Sequence, residues 1–299
     1  MAEASGFDKR VTPVRADLAA AHLKGKVDAP RFAQGTTMQV TASVLPIRRT
    51  PAPDGAQETQ ALFGETFTIY DEAEGWGWGQ AALDGYVGYV DMEGLSAPVV
   101  APTHRITALR SYRFSEPNLK SAPLGLVSMN AKIAAGETDG DFVQEARGGW
   151  VWRGHTAPID AEFAIDPVEA AMLFLAAPYF WGGRESLGLD CSALIQNAFE
   201  ACGHVVPRDT DQQEAYFQEA GRSETVWDEA MGGDWADAML QRGDILFWPG
   251  HTALMVDDRH MLHANATYMA TTINDARELS AKWVVRDNLK MRRIVRPKI

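Results

Sequence analysis

Pro178-Tyr-Phe-Trp-Gly-Gly183-Arg-Glu-Ser-Leu-Gly-Leu-Asp190-Cys-Ser-Ala-Leu-Ile-Gln-Asn-Ala-Phe-Glu-Ala-Cys202 reads as a glycine-rich aromatic loop feeding a helix. Asp190 is a good N-cap. The apolar residues then fall at Cys191, Leu194, Ile195, Ala198, Phe199 and Cys202, the spacing of one helical face. Cys191 is therefore expected in the first turn, on the side that faces a core. Unpaired N–H groups at a helix start favour thiolate over thiol, so this is where a catalytic sulfur would be placed.

A thiol nucleophile needs a base within reach, and the base needs a third polar group to fix its tautomer. Downstream, Asp244 to Trp248 reads as a strand, Pro249-Gly250 as a break, and His251 as the opening of a second strand. Met261-Leu-His263-Ala-Asn265 reads as the next strand, after the polar turn Asp257-Asp258-Arg259-His260. Antiparallel pairing through a loop centred near Asp257 puts His251 opposite His263, on one face.

Taken together, Pro178 to Gly183, Leu189-Asp-Cys-Ser192, Pro207-Arg208, Gly243 to Phe247, His251 and His263-Ala264 resemble the bacterial NlpC/P60 cysteine peptidases, papain-like enzymes that cut peptidoglycan peptides. The resemblance covers roughly Pro167 to Ile299 and implies an α+β catalytic domain. It implies Cys191 as nucleophile, His251 as base, His263 as orienting residue and Tyr179 beside the oxyanion. Ala193 in place of the usual glycine, and His251-Thr-Ala-Leu-Met in place of the usual His-Val-Gly-Ile-Tyr, are small or apolar changes at non-reacting positions.

Ahead of this region, short alternating strands are broken by Gly, Pro and Asp: Val40 to Val44, Ala61 to Phe63, Thr66 to Tyr70, Trp76 to Gln80 and Gly85 to Val90. Such a texture indicates a small all-β barrel. Gln-Ala-Leu-Phe-Gly-Glu65, Gly75-Trp-Gly-Trp78 and Asp84-Gly-Tyr-Val-Gly-Tyr-Val90 resemble a bacterial SH3-like domain. A weaker second copy follows, with Gly125 in the place of Gly64 and Gly148-Gly-Trp-Val-Trp152 in that of Gly85 to Tyr89. The expected division is an arm over 1–34, SH3-like domains over 35–98 and 99–158, and the peptidase domain over 159–299. Within the arm, Ala16 to Leu23 reads as a short helix capped by Gly25. Asp166-Pro167 opens a helix whose apolar face, Val168 to Leu175, is expected against the cysteine helix. Thr210 with Gln213 matches a capping box opening another.

A subfamily with SH3-like modules ahead of the NlpC/P60 domain cleaves after D-glutamate in peptides with a free N-terminal L-alanine. By that resemblance Asp190, Ser192, Asp209 and Thr210 gather the ammonium group, which needs acceptors at a closed end of the cleft. The first SH3-like module would add an acid and a tyrosine, Glu58 and Tyr86, with Glu65 and Tyr89 as alternatives.

The chain has 299 residues, 46% hydrophobic and 23% charged, ordinary globular values. A net charge of −12 argues against nucleic acid, an anionic wall polymer or a membrane surface as partner, and favours small diffusing peptides. The two cysteines would lie roughly 16 Å apart along one helix, too far to bridge. Free thiols suit a reducing compartment. With no apolar h-region near Met1 and no run of spanning length, the expected location is cytoplasmic. The mechanism implied by the resemblance requires no cofactor. His251, His260 and His263 lack a further ligand at metal-binding spacing. Arg242-Gly-Asp244 reads as a turn before a strand. Acidic Glu224 to Asp237 reads as a lid or a surface insertion.

The expected activity is hydrolysis of the γ-D-glutamyl–L-diamino acid bond in small wall peptides with a free L-Ala, during murein recycling. The rivals are an endopeptidase acting on intact wall peptides, a papain-like acyltransferase, and a non-catalytic wall-peptide-binding protein.

Overall fold

The structure, a computed structural model, describes residues 6–298. The first five residues of the expected arm lie outside them. The chain divides into two compact units between Ala161 and Glu162.

In the first unit, antiparallel strands Gln57–Leu62, Val44–Arg48, Val87–Asp91, Trp76–Ala81, Thr66–Ala73, Thr36–Val40 and Leu95–Ser96 neighbour one another in that order. They enclose a core that includes Val40, Leu45, Ile47, Phe67, Tyr86 and Val90. The expected strand over Val40 to Val44 is instead the break between two strands, where Thr41 N–H and Ala42 N–H both turn to Gly94 O. A second module places Pro123–Ser128, Arg110–Phe114, Trp150–Trp152, Phe142–Glu145 and Ala135–Asp139 in one sheet. Lys132–Ile133, His104–Ile106 and Thr156–Pro158 form another. Leu62 and Phe63 of the first module sit in the core of the second.

The correspondence between modules holds at Trp150–Trp152, which like Val87–Asp91 runs into a short 3-10 turn. It fails at Gly125, which lies inside a strand. The residue equivalent to Gly64 is Asn130. Gly64 N–H donates to Val40 O and Asn130 N–H to Ile106 O, and both take a left-handed conformation, φ 80° and 70°. Asn tolerates that region better than most residues with a side chain. Gly64 has a second constraint, since an added Cβ would lie 1.8 Å from Lys132 O.

The expected arm helix is a two-residue strand, Ala19–Ala20, and one 3-10 turn, Ala21–Leu23. Ala19 N–H donates to Arg31 O, and Ala19, Ala20 and Leu23 are buried against residues that include Tyr70. Packing has overridden an alanine-rich propensity.

The second unit centres on a six-stranded antiparallel sheet in the order Ser223–Asp228, Arg293–Pro297, Ile245–Trp248, His251–Met255, His260–Asn265, Ala270–Asp275. Helices α1 (Pro167–Met172), α2 (Cys191–Ala201), α3 (Thr210–Gln218) and α4 (Ala276–Asp287) accompany it. Helix α1 starts as expected, with Asp166 Oδ1 accepting from Val168 N–H at 2.8 Å and Pro167 at the first position. It ends earlier, leaving Leu173 and Leu175 exposed. Helix α2 packs on α1 and on the His251–Met255 and His260–Asn265 strands. The acidic stretch begins as part of the sheet: Ser223–Asp228 is an edge strand paired with Arg293–Pro297, and short turns follow it. Trp227 and Trp235 pack against the core beneath α4. Asp244 is fully buried and paired with Arg296, so the Arg-Gly-Asp tripeptide is structural. Among the described residues no helix is long and apolar enough to cross a membrane.

Candidate active site

Cys191 is the first residue of α2 and is buried. Asp190 caps the helix, its Oδ1 accepting from Ala193 N–H at 2.9 Å. The six apolar residues expected on one face are all buried, but so are Ser192, Ala193, Gln196 and Asn197. The helix is central rather than amphipathic. Its polar side is tolerated because Gln196 Nε2 donates to Val206 O at 3.2 Å and Asn197 Nδ2 to Arg184 O at 3.0 Å.

The loop ahead of Cys191 is folded back by Asp190 and by Arg208, which the family pattern includes but to which sequence reasoning gave no role. Arg208 is almost fully buried and grips Asp190 with both nitrogens, Nη1 to Oδ1 at 2.9 Å and Nη2 to Oδ2 at 2.8 Å. It also donates to Ser192 Oγ at 2.7 Å and Gly183 O at 3.2 Å. Asp190 accepts further from Gly182 N–H at 2.9 Å and Ser192 Oγ at 3.2 Å. Both of its oxygens are therefore engaged within the protein, and an incoming ammonium has to displace a donor to reach them. At Gly183 an added Cβ would meet Gly188 O at 2.5 Å, so only glycine lets the loop close.

Thr210 is placed beside the thiol, its Oγ1 3.9 Å from Cys191 Sγ. The capping box of α3 is shifted by one residue from expectation. Asp209 is the N-cap and Gln212 its partner, because a carboxylate is the better acceptor for the free N–H groups. Gln213 turns inward, donating to Ser192 O at 2.8 Å and Pro207 O at 2.9 Å.

His251 and His263 come together on neighbouring strands, Nε2 to Nδ1 at 2.9 Å. Their register differs from expectation by two residues. Leu254 faces Leu262 and Met255 faces Met261, so the hairpin is centred on Asp258 and the imidazoles meet diagonally. The turn sets this: Val256 N–H donates to His260 O, and Asp257 accepts from Arg259 N–H and His260 N–H. His263 is fully buried and its Nε2 lies 3.0 Å from Asn274 Oδ1. Trp283 of α4 stands edge-on to both imidazoles, 5.1 Å from His251 and 5.5 Å from His263. His260 lies outside this pair and contacts Asp257 at 2.9 Å.

Burial pushes both imidazoles toward the neutral form: His263 falls to about 4, and His251, with His263 beside it, falls well below its ordinary value. Burial, with Asp190 adding to it, raises the Cys191 thiol to about 11, against the lowering by Thr252 N–H and Thr210 Oγ1. The expected bias of the helix start toward thiolate is thus outweighed by desolvation. Both shifts disfavour the ions, thiolate and imidazolium alike. Tyr179 is half-buried, its backbone N–H donating to Met269 O at 3.0 Å. Its phenol is pushed up by burial and then by the nearby Cys191 and Asp190 charges, so it stays a hydroxyl donor beside the sulfur.

The residues assigned to the first module are placed in the first unit. Tyr86 is buried in the core, which removes its ring from any exposed surface. Glu58 is paired with Arg49. Of the alternatives, Glu65 is buried and accepts from Leu62 N–H at 2.9 Å. Tyr89 lines a cavity of about 100 Å³ with Trp76, Trp78 and Arg15. Asn274 and Trp283 were missed altogether. Asn274 sits in a polar alternation, Thr272-Ile-Asn274, that reads as an ordinary edge strand until His263 is known to lie beside it.

Residues 176–287 match the NlpC/P60 family, and residues 47–95 match the bacterial dipeptidyl-peptidase SH3 domain. The chain is 31% identical to dipeptidyl-peptidase 6 of Lysinibacillus sphaericus over 116 residues, 39% of this chain and 38% of that protein. It is 30% identical to the gamma-D-glutamyl-L-lysine dipeptidyl-peptidase of Bacillus subtilis (strain 168) over 112 residues, 35% of this chain and 33% of that protein. The chain thus matches only between a third and two fifths of each of these relatives' length. An NlpC/P60 family protein from Bacillus cereus ATCC 10987 shares the fold with a TM-score of 0.65 at 19% identity, over 80% of this chain and 94% of that one. An NlpC/P60 endopeptidase from Photobacterium damselae subsp. piscicida gives 0.56 at 12% identity, over 88% of this chain and 73% of that one. The chain therefore carries a domain of the NlpC/P60 cysteine peptidase family behind a bacterial SH3 domain.

Proposed function

We propose that the chain is a cysteine endopeptidase that hydrolyses the γ-D-glutamyl–L-diamino acid bond of small peptidoglycan peptides bearing a free N-terminal L-Ala. The observation that carries the reading is the pairing of His251 Nε2 with His263 Nδ1 beside a helix whose first residue is Cys191. With Nε2 engaged, Nδ1 of His251 is the nitrogen left for the thiol. As Sγ attacks the γ-carbonyl carbon, His251 Nδ1 takes the thiol proton. It then passes that proton to the amine of the diamino acid as the C–N bond breaks, leaving a thioester on Cys191. Water attacks the thioester, His251 takes its proton, and Sγ leaves and recovers a proton from the imidazolium. The Cys191 N–H and the Tyr179 hydroxyl are suited to the oxyanion.

The name of the Bacillus subtilis relative supports the choice of bond. The ammonium of L-Ala would be met by Asp209 and Thr210, with Asp190 and Ser192 behind them. Two buried free cysteines suit a reducing, cytoplasmic setting and a role in recycling.

Mass spectrometry of L-Ala-γ-D-Glu-L-Lys and L-Ala-γ-D-Glu-diaminopimelate digests tests this. Wild type should release the diamino acid, and Cys191→Ala should release none while keeping the wild-type circular dichroism. N-acetylation of L-Ala should slow cleavage by roughly tenfold or more, the loss of a charge-assisted contact. Equal cleavage of acetylated and free peptides would instead favour an enzyme of intact wall peptides. Activity retained by Cys191→Ala would end the assignment.

A further inference from the structure

We propose that Asn274 is a positioning residue that fixes the tautomers of both active-site histidines, held in its own orientation by Thr272 and Asn265. This rests on the reading of Cys191 and His251 as nucleophile and base. An amide side chain offers an acceptor at one atom and donors at the other, so its orientation decides what its neighbour must carry. The orientation can be followed from the backbone inwards. Asn265 Oδ1 accepts from Tyr268 N–H at 3.0 Å, which makes Nδ2 the inward atom. That Nδ2 donates to Ala270 O at 3.2 Å and Thr272 Oγ1 at 2.9 Å. It also lies 3.3 Å from both His263 O and His263 Nε2, but its two hydrogens go to the two nearer acceptors, so Nε2 is not required to accept.

Thr272 Oγ1, having accepted, donates its own hydrogen to Asn274 Oδ1 at 2.7 Å. Oδ1 is thereby the atom presented to His263 Nε2 at 3.0 Å, and Nε2 has to carry the proton. His263 Nδ1 is consequently bare and accepts from His251 Nε2–H at 2.9 Å. His251 Nδ1 is left with its lone pair, which is the state a general base needs. Sheet register builds the arrangement: His263 faces Thr272, Met261 faces Asn274 and Asn265 faces Ala270, so the polar members lie on one face across two strands. A single donor direction runs from Asn265 through Thr272 to Asn274, and a second from His251 through His263 to the same oxygen.

The proposal is tested without substrate by long-range ¹H–¹⁵N correlation spectra of imidazole-labelled protein at about pH 7.5, which distinguish Nε2–H from Nδ1–H tautomers. Wild type should show both His251 and His263 as Nε2–H, and Asn274→Ala should show mixed tautomers at His263. Wild-type His263 found as Nδ1–H would overturn the proposal whether or not any variant folds. In turnover, Asn274→Ala should lower kcat roughly tenfold or more with KM within about twofold, the signature of a base in the wrong tautomer. Thr272→Val, which keeps the shape and removes the orienting hydroxyl, should show a smaller loss in the same direction. An unchanged kcat in a folded Asn274→Ala protein would also sink the idea. A wild-type spectrum as stated with no cleavage of the peptides would refute the proposed substrate and leave this assignment standing.

Discussion

At the scale of single residues, the site is governed by desolvation. Cys191 and His263 are buried, His251 is half-buried, and Trp283 packs edge-on against both imidazoles. Removing water disfavours thiolate and imidazolium alike, so in the proposed mechanism proton transfer from Sγ to His251 would accompany attack rather than precede it. Free-enzyme alkylation reads this directly. Iodoacetamide labelling of Cys191, followed by peptide mass spectrometry, should rise steadily between about pH 6 and 10, because the thiol is held at about 11. A preformed thiolate–imidazolium pair would give a plateau from about pH 5 to 8 instead, since its thiolate is present throughout. Such a plateau would show that attraction between the two ions exceeds their desolvation.

Among the elements, α2 and the loop before it depend on one buried ion pair. Arg208 and Asp190 sit with their charges matched and their remaining hydrogen bonds made to Ser192, Gly183 and Gly182. Removing one partner leaves the other charge buried and alone, so Arg208→Ala should cost about 3–5 kcal/mol in urea unfolding. A loss under about 1 kcal/mol would mean that water replaces the guanidinium, as at exposed pairs. The same elements show what sequence can and cannot disclose. The N-cap and apolar spacing around Asp190-Cys191 were legible because both are local. Arg208 belongs to the family pattern, yet its grip on a loop some 18 positions earlier is tertiary. The two-histidine face was legible from alternation alone. Its register was not, because the hydrogen bonds of one turn decide it. The alanine-rich arm misled for a related reason: propensity favours a helix, while Ala19 and Ala20 are held by a strand partner and a buried cluster.

For the whole molecule, two units with separate cores should respond to acid in opposite senses. In the second unit His263 is held at about 4 when folded, against an ordinary 6.5. The unfolded chain therefore binds a proton that the folded unit refuses. Stability from this group is complete above about pH 6.5 and is lost as pH falls toward 4, a difference on the order of 3 kcal/mol. His251 is depressed as well and adds to the same loss. The first unit carries Glu145, buried and raised above its ordinary value chiefly by desolvation. There the folded state holds the proton more tightly, so lowering the pH relieves a cost. Hydrogen exchange resolved by peptide, at about pH 7.5 and 5 and corrected for intrinsic rates, separates the two. Peptides from His251–Met255 and His260–Asn265 should lose protection at the lower pH, and those from Phe142–Glu145 and Trp150–Trp152 should not. His263→Asn should reduce the loss in the second unit, since the group that takes up the proton on unfolding has gone. An equal loss of protection in both units would place the acid response elsewhere, in the carboxylates they have in common.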